Sequence, residues 1–483
     1  MKLNVVARLF VGLGAIFTST CSIAQQKQPN IIFVFPDQMR GEAMGFEDEV
    51  LVKTPSLDQF KSEAVNFTQA IANYPVCSPT RAMIFSGLYP IKNKVTLNVN
   101  SETEKYGVEL QKDAVCWSDI LASNGYDLGY VGKWHLDSPR EPYIKCKNNV
   151  GKMKWNEWCS PDRRHGFSYW HAYGTYDYHL NPMYWDTDSP RNGFKFYNEW
   201  GPIHEANKAI EYIKNTEGKY RDGSKPFALV VSINPPHTPY SQVPQKYKDI
   251  YKDLDVEKLC TKPSIEAKGT KWGDHYRRNI KNYYACISGV DEQFGRILKS
   301  LKDQGIDDNT IVVFTSDHGD CMGIHEKITK NNWFEESMRV PFIVKVPGVT
   351  EGDDVDYQLG SLDIYPTLLG LLGMADKVPS NLKGYDYTSV IHGEKAKDAP
   401  SHQWYMRMVY GTHKKGSRGV RNERYTFVIN RMKGEGQKIL LYDRKKDPFQ
   451  MKNIADKNKR IVRKMETILR EDLKKYNDPF VIK

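Results

Sequence analysis

The 483-residue sequence lacks several features that would place it in other classes of protein. It contains no Cys-x-x-Cys pair, so its eight cysteines do not have the spacing of a zinc cluster. No dense run of lysine and arginine is interleaved with aromatic residues, and no nucleic-acid motif is present, so we expect no nucleic-acid partner. No internal repeat and no low-complexity linker divides the chain.

Long apolar runs are also missing. The run at residues 9–17 is too short to cross a bilayer and no later stretch qualifies, so we expect no transmembrane segment. Lys2 and Arg8 lie before this run, and the small residues at 22–24 suit cleavage. Residues 1–24 therefore predict a secretory signal and a secreted or periplasmic protein, with a lipoprotein anchored at Cys21 as the alternative.

Length and composition indicate a globular chain with a large core. Hydrophobic residues make up 40% of the sequence and aromatic residues 12%, which suits one large domain and a smaller one. The formal net charge is +10, and a moderately basic surface is compatible with anionic substrates.

The most informative stretch is Cys77-Ser78-Pro79-Thr80-Arg81. Serine is a favoured N-cap and proline fits the first helical position, so we predict a helix from Ser78 that ends near Gly87. Cys77 would then lie just before a helix N-terminus, where free N–H groups favour an anion, and Arg81 would follow one turn later. A lone cysteine is otherwise best explained as a small buried hydrophobic residue.

Several short apolar runs end in polar residues. Runs that are apolar throughout predict strands buried on both faces of a parallel sheet, and open sheets of this kind bind ligands at the carboxyl ends of their strands. A strand end such as Asp37-Gln38 would, if it stood alone, be better explained by a turn, but together these residues predict a site at one edge of a doubly wound sheet. The polar residues at these ends are Asp37, Gln38, Lys133, His135, His237, Asp317 and His318.

The pattern Cys-x-Pro-x-Arg at 77–81, Gly-Lys-Trp-His at 132–135 and Ser-Asp-His-Gly at 316–319 resembles the type I, formylglycine-dependent sulfatases of the alkaline phosphatase-like superfamily. The strand end at Asp37-Gln38 and Pro-His-Thr-Pro at 236–239 also resemble the family, so five motifs occur in the family's order within about residues 29–455. It implies an α/β fold: a large mixed, mostly parallel sheet sandwiched by helices, with a smaller C-terminal subdomain of antiparallel sheet plus helix. We place the catalytic domain at residues 25–395 and the C-terminal subdomain at 396–483.

The resemblance also implies roles for individual residues. In this family the cysteine is oxidised to formylglycine (3-oxoalanine), so Cys77 would be modified by a formylglycine-generating or anaerobic sulfatase-maturating enzyme, and its hydrated aldehyde would be the nucleophile. The implied catalytic residues are Cys77, Arg81, Lys133, His135, His237 and Lys330. The implied metal ligands are Asp37, Gln38, Cys77, Asp317 and His318. The candidates for substrate binding are Arg164, His179 and His325.

Two positions depart from the family's usual pattern. Gln38 stands where a second aspartate is usual, which removes one negative charge from the implied metal site. Thr329 replaces the glycine that usually comes before a lysine, so Lys330 is the candidate for sulfate binding and Lys327 is its rival. The oxygen-rich ligand set favours calcium, with magnesium as the second choice.

Residues 140–200 are rich in aromatic residues and show little periodicity, which predicts an irregular insertion rather than a domain. Its aromatic side chains are explained equally well by stacking on sugar rings or by a core. Cys146 and Cys159 flank a loop-like stretch there and are our candidate pair for a disulfide.

The expected substrate is a sulfated saccharide, because secretion, positive charge and an aromatic-rich insertion suit it better than a small aryl or steroid sulfate. The identity of the sugar, the position of the sulfate and endo or exo action stay open. The runner-up function is a phosphonate or phosphate monoester hydrolase of the same superfamily. A carbohydrate-binding relative without catalysis is a third possibility.

Overall fold

The computed structural model describes residues 28–47, 51–432 and 434–483, and its largest feature is a ten-stranded mixed sheet. The strand order is β10-β2-β9-β8-β1-β7-β3-β4-β5-β6. The central strands β8, β1, β7, β3 and β4 pair in parallel. The strands are β1 (Asn30–Val34), β2 (Val65–Phe67), β3 (Asp127–Lys133), β4 (Tyr169–Tyr173), β5 (Met183–Asp186), β6 (Lys195–Phe196), β7 (Phe227–Ser232), β8 (Thr310–Thr315), β9 (Phe342–Lys345) and β10 (Asp354–Val355).

Helices cover both faces of this sheet, as predicted. On β1, Ile31 packs in a core that includes Phe85, whereas the next residue, Ile32, packs in a second core with Phe294. This alternation follows from the two-residue period of a strand. The helices are α1 (Pro55–Lys61), α2 (Cys77–Ser86), α3 (Pro90–Asn93), α4 (Trp117–Ser123), α5 (Gly201–Lys214), α6 (Gln245–Asp249), α7 (Lys271–Asp303), α8 (Glu335–Met338), α9 (Ile364–Leu371), α10 (Thr388–Ile391) and α11 (Lys459–Lys475).

A separate four-stranded antiparallel sheet forms towards the C-terminus, which confirms the predicted smaller unit of sheet plus helix. Its strands are β11 (His402–Val409), β12 (Thr412–Asn422), β13 (Tyr425–Arg431) and β14 (Lys438–Asp443), in that spatial order. Met465 and Leu469 of α11 share a core with Phe427 of β13. The boundary at residue 396 stays a prediction.

The predicted secretory signal at residues 1–24, including Cys21, lies outside the described residues. Among the residues that are described, no helix is both long enough and apolar enough to cross a membrane.

The predicted start of α2, with Ser78 as the N-cap, was wrong by two residues. Val76 is the N-cap and α2 begins at Cys77, so Cys77 lies in the first helical turn. Ser78 does not cap the helix because its hydroxyl oxygen accepts the backbone N–H of Val99 at 3.1 Å. The predicted end is confirmed, since Gly87 takes the left-handed conformation (φ 65°) that favours glycine at a helix C-terminus.

The insertion at 140–200 is more regular than predicted, because β4, β5 and β6 extend the main sheet and β4 pairs in parallel with β3. Trp170 and Tyr176 are buried, which supports a core role for these aromatic residues. The predicted disulfide was wrong. Cys146 and Cys159 are free thiols, as are the other cysteines of the described ranges, and the Cys146 sulfur accepts a hydrogen bond from Asn156.

A buried ion pair joins the C-terminal sheet to the main domain. Arg421 of β12 donates from Nε to Glu335 Oε1 at 2.8 Å and from Nη2 to Oε2 at 2.7 Å. The Arg421 side chain is 0% exposed and that of Glu335 is 15% exposed. Burial raises the pKa of Glu335, but Arg421 and Arg444 outweigh burial and lower it to about 2.

Replacing Glu335→Gln is expected to lower the free energy of unfolding by about 3 kcal/mol, because Arg421 then keeps a buried charge without its carboxylate. The ordinary pKa of the Glu335 carboxyl is 4.5. The difference in unfolding free energy between the variant and wild type should therefore be complete above pH 4.5 and should fade as the pH falls towards 2. Denaturant unfolding at several pH values measures it.

Glu423→Gln is the matched control, because Glu423 pairs with Lys445 on the surface, where both side chains are more than half exposed. Exposed pairs contribute little, so stability should stay almost unchanged. Equal losses in the two variants would contradict a special role for the buried pair.

Candidate active site

Side chains from several strand ends converge on Cys77 in the first turn of α2. Its Sγ lies 3.0 Å from Lys330 Nζ, 3.4 Å from His318 Nε2, 3.7 Å from Asp37 Oδ1 and 4.0 Å from Lys133 Nζ. Burial and Asp37 raise the pKa of the Cys77 thiol, but Lys133, Lys330 and His318 outweigh them and lower it well below the ordinary value. The surroundings of position 77 therefore stabilise negative charge.

Two buried carboxylates and an imidazole form a candidate cation site beside Cys77. Asp37 follows β1, and Asp317 and His318 follow β8; their ligand atoms and Cys77 Sγ lie within 4.8 Å of one another. His318 donates from Nδ1 to the Gly319 carbonyl at 2.8 Å, and this contact directs Nε2, the other ring nitrogen and a possible metal ligand, towards Cys77 and the two carboxylates.

The electrostatics of this cluster fit a divalent cation. Burial and the neighbouring Asp37 raise the pKa of Asp317 to about 6, because two adjacent carboxylates in a dry site lack sufficient positive charge. Carboxylate oxygens with one imidazole nitrogen form a donor set that a divalent cation accepts.

Arg81 lies beneath the two carboxylates and is wholly buried. Its Nη2 donates to Asp37 Oδ2 at 3.1 Å and its Nε to Asp317 Oδ2 at 3.0 Å. Its Nη1 donates to the Lys133 carbonyl at 2.8 Å and to Ser232 Oγ at 2.7 Å. Four of the five N–H groups of the guanidinium are therefore engaged, and Arg81 holds the candidate metal ligands in position.

Of the two rival lysines, the structure brings Lys330 to Cys77, whereas Lys327 is exposed. Lys330 Nζ also donates to Gln38 Oε1 at 2.9 Å, and Gln38 Nε2 donates to Asp320 Oδ2 at 2.8 Å. Gln38 therefore orients Lys330 through its amide. A role for Gln38 as a metal ligand stays a prediction.

Lys133 is the last residue of β3 and His135 follows it, and the two side chains have different partners. Lys133 Nζ is 2.8 Å from Asp37 Oδ2 and donates to Asn234 Oδ1 at 3.0 Å. His135 donates from Nε2 to the Val99 carbonyl at 3.1 Å, and its buried Nδ1 has no partner among the described residues. Burial lowers the pKa of His135, so its neutral imidazole keeps Nδ1 as a proton acceptor.

His237 follows β7, and its Nδ1 lies 3.3 Å from Asp177 Oδ1. Burial lowers the pKa of His237, as do Lys330 and Lys133, but Asp37 and Asp177 outweigh them and raise it to about 9. His237 is therefore protonated at neutral pH.

The three candidates for substrate binding lie in different surroundings. His179 donates from Nε2 to the His237 carbonyl at 3.0 Å, and burial lowers its pKa to about 4, so it is a neutral neighbour of the site. Arg164 donates to two backbone carbonyl groups of the insertion. The His325 ring stacks on Phe334 at a centroid distance of 3.7 Å. Only His179 of the three therefore contacts a residue of the cluster described above.

Three further polar residues of the site were not anticipated from the sequence. Asn234 and Asp320 follow β7 and β8 within a few residues, so the rule that selected other strand ends could have found them. Asp177 lies in the insertion and has no such signal, because its approach to His237 depends on how the insertion joins the sheet.

Two family models match the sequence: one described as Sulfatase, over residues 29–374, and one described as N-sulphoglucosamine sulphohydrolase, C-terminal, over residues 323–478. The chain is 37% identical to an endo-4-O-sulfatase of Bacteroides thetaiotaomicron, over 94% of each protein. It is 34% identical to an ulvan-active sulfatase of Formosa agariphila, over 89% of this chain and 78% of that protein. The crystal structure of a Bacteroides fragilis protein named sulfatase yidJ is 50% identical, with a TM-score of 0.90 and coverage of 95% and 98%.

A divalent cation is expected to stabilise the folded protein by binding at Asp37, Asp317 and His318. At about one hundred times its dissociation constant it should add about 2.7 kcal/mol. Thermal unfolding with EDTA, calcium or magnesium measures this shift, which Asp317→Asn should greatly reduce.

Asp119→Asn is the control. Asp119, Cys116 and His165 form a second group of side chains that could hold a metal ion. That variant should keep the full shift produced by the cation. Loss of the shift in Asp119→Asn, with retention in Asp317→Asn, would place the cation in the second group.

Proposed function

Because the chain belongs to the sulfatase family and is a sulfuric ester hydrolase, we propose that it removes sulfate from a sulfated saccharide with a formylglycine nucleophile at position 77. The observation that carries this proposal is the convergence of Lys133, Lys330, His318 and Asp37 on Cys77. The saccharide is supported by the endo-4-O-sulfatase and the ulvan-active sulfatase, which are both more than 30% identical to this chain.

Formylglycine, whose side chain is an aldehyde, would arise from Cys77 through a formylglycine-generating or anaerobic sulfatase-maturating enzyme. The sulfur of the side chain is lost as sulfide, an oxygen atom takes its place, and the maturating enzyme supplies the oxidant that removes two electrons from the carbon. Hydration of the aldehyde gives two hydroxyl groups on one carbon. One oxygen serves as the nucleophile, and the second hydroxyl allows the enzyme to release sulfate afterwards.

In the first step the sulfate lies between Lys133 and Lys330, whose ammonium groups offset the charge on its oxygens. The hydroxyl at position 77 gives up its proton to solvent, its oxygen attacks sulfur, and the bond between sulfur and the sugar oxygen breaks. His237 donates a proton to the departing sugar oxygen, for which its raised pKa is suited.

In the second step His135 accepts the proton of the remaining hydroxyl group at Nδ1, which has no partner among the described residues. The carbon–oxygen bond to sulfate then breaks, sulfate leaves and the aldehyde forms again. Water restores the hydrate, so the protein is ready for another cycle.

Calcium is the proposed cation, with magnesium as the second choice, because oxygen donors suit a hard ion. Asp37, Asp317 and His318 would hold it, with Gln38 as a further ligand. When bound, such a cation supplies Lewis-acid polarisation of the nucleophile and neutralises sulfate charge.

We also propose that the protein acts outside the cytoplasm. Lys2, Arg8 and the apolar run at 9–17 support a secretory signal, and lipid attachment at Cys21 is the alternative.

Cys77→Ala and Cys77→Ser are expected to reduce multiple turnover by roughly a thousandfold or more, since neither can form the aldehyde hydrate. Serine can still receive sulfate, but it lacks the second hydroxyl group that expels it. Sulfate release and the mass of the peptide carrying position 77 measure both effects. Near-normal turnover by Cys77→Ser would overturn the mechanism.

The substrate class is tested with a panel of sulfated mono- and oligosaccharides alongside an aryl phosphonate. Release of sulfate from saccharides is the expected result. Turnover of the phosphonate with none of the saccharides would favour the phosphonate monoester hydrolase instead.

Asp177→Asn is expected to lower the pKa of His237 by about one unit or more, because a nearby negative charge is lost. Since the protonated form donates, wild-type kcat should fall as pH rises through about 9, and the variant should fall at a lower pH. Profiles of kcat against pH measure this.

Asp188→Asn is the control for that experiment, because Asp188 is an exposed acid of the same insertion. In the control, kcat should decrease at the same high pH as in wild type. If kcat of Asp177→Asn also decreases at the wild-type pH, His237 is not an acid whose pKa Asp177 raises.

A further inference from the structure

A loop of the insertion, residues 143–156, contains four lysines and no acidic residue. We call it the lysine loop. None of its lysines forms an ion pair with a carboxylate in the described part of the chain, and three of them are exposed while the fourth is half-buried. An exposed basic run is ordinarily a solvated surface, so its location decides whether it has a further role. The four are Lys145, Lys147, Lys152 and Lys154.

One end of the lysine loop lies beside His135. Lys154 and Ser101 exchange hydrogen bonds: the Ser101 N–H donates to the Lys154 carbonyl at 2.9 Å, and the Lys154 N–H donates to Ser101 Oγ at 2.9 Å. Val99, two residues before Ser101, supplies the carbonyl that holds His135. The ring of Trp155 lies 6.2 Å from the ring of His135, measured between centroids.

The other end of the lysine loop contacts Asp177. Asn148 Nδ2 donates to Asp177 Oδ2 at 3.0 Å, and the Asp177 N–H donates to Asn148 Oδ1 at 3.2 Å. Asp177 also lies against His237, the proposed acid. The loop therefore borders the site on the sides of both histidines that handle protons.

Asn149 holds the loop in shape from inside. Its Nδ2 donates to the carbonyl groups of Ile144 and Asn156 at 3.0 Å and 2.9 Å, and its Oδ1 accepts the N–H groups of Trp155 and Asn156. Because this backbone is already ordered, a ligand that binds the lysines need not order the loop, which lowers the entropic cost of binding.

We propose that the lysine loop binds a second anionic group of the saccharide, beyond the sulfate that reacts, so that the preferred substrate is a polyanionic saccharide. This inference rests on the proposed function. The second anionic group is either another sulfate or a uronate carboxylate. Both present exposed, negatively charged oxygens, which an ammonium group recognises as a point charge.

Two double variants test the loop: Lys145→Gln with Lys147→Gln, and Lys152→Gln with Lys154→Gln. The control is Lys214→Gln with Lys302→Gln. Lys214 ends α5 and Lys302 lies in the last turn of α7, so both lie near the edge where the parallel strands begin, opposite the site. All variants are compared with wild type by thermal unfolding.

The substrates are three saccharides of equal length that carry the same reacting sulfate. The first has no other anion, the second has a uronate carboxylate and the third has a second sulfate. The loop variants should lose about tenfold in kcat/KM on a saccharide with the recognised anion and remain at wild-type level on the first. High salt should reduce the difference, because exposed charges are screened.

The saccharide that shows the loss identifies the source of the anion. An equal loss on all three saccharides, no loss on any, or the same loss in the control variant would overturn the inference while leaving the proposed function intact. If wild type releases sulfate from none of the three saccharides, the proposed function fails. Calorimetry then measures how tightly wild type and the loop variants bind the same saccharides. Equal affinity in wild type and the loop variants would overturn the inference about the lysine loop.

Discussion

The contact between Arg81 and two buried carboxylates is the interaction on which the site depends. Asp37 and Asp317 follow the neighbouring strands β1 and β8, and both would repel each other in a dry environment. The guanidinium of Arg81 joins them from below and also contacts the ends of β3 and β7. One side chain on α2 therefore fixes the position of the candidate cation site relative to Cys77, which lies one turn earlier.

Around Arg81 and its two carboxylates, the same few charged side chains give neighbouring residues different protonation states. Burial raises the pKa of Asp37, but Lys133 and Lys330 lower it well below its ordinary value, whereas burial raises that of Asp317 to about 6. His135 remains neutral because burial dominates, and His237 is protonated because carboxylates outweigh burial. In the proposed mechanism this separation supplies His135 as the proton acceptor and His237 as the proton donor.

The insertion connects the proposed chemistry with the proposed recognition of the substrate. It joins the main sheet through β4, and it brings Asp177 to His237 and the lysine loop to the border of the site. The proposed catalytic residues Lys133, His135 and His237 lie at strand ends of the sheet, whereas Asp177 and the lysine loop belong to a segment added at its side.

The sequence by itself determined the buried strands, a helix that starts next to Cys77, and the motifs that place Asp37, Lys133, Asp317 and His318 at strand ends, because apolar runs and family motifs are local patterns. Only the tertiary structure decided that Val76 caps α2, that Lys330 reaches Cys77, that the insertion extends the sheet and that Cys146 and Cys159 stay apart. Each of these depends on which distant segments meet, and that is set by packing of the whole chain rather than by any short stretch of it.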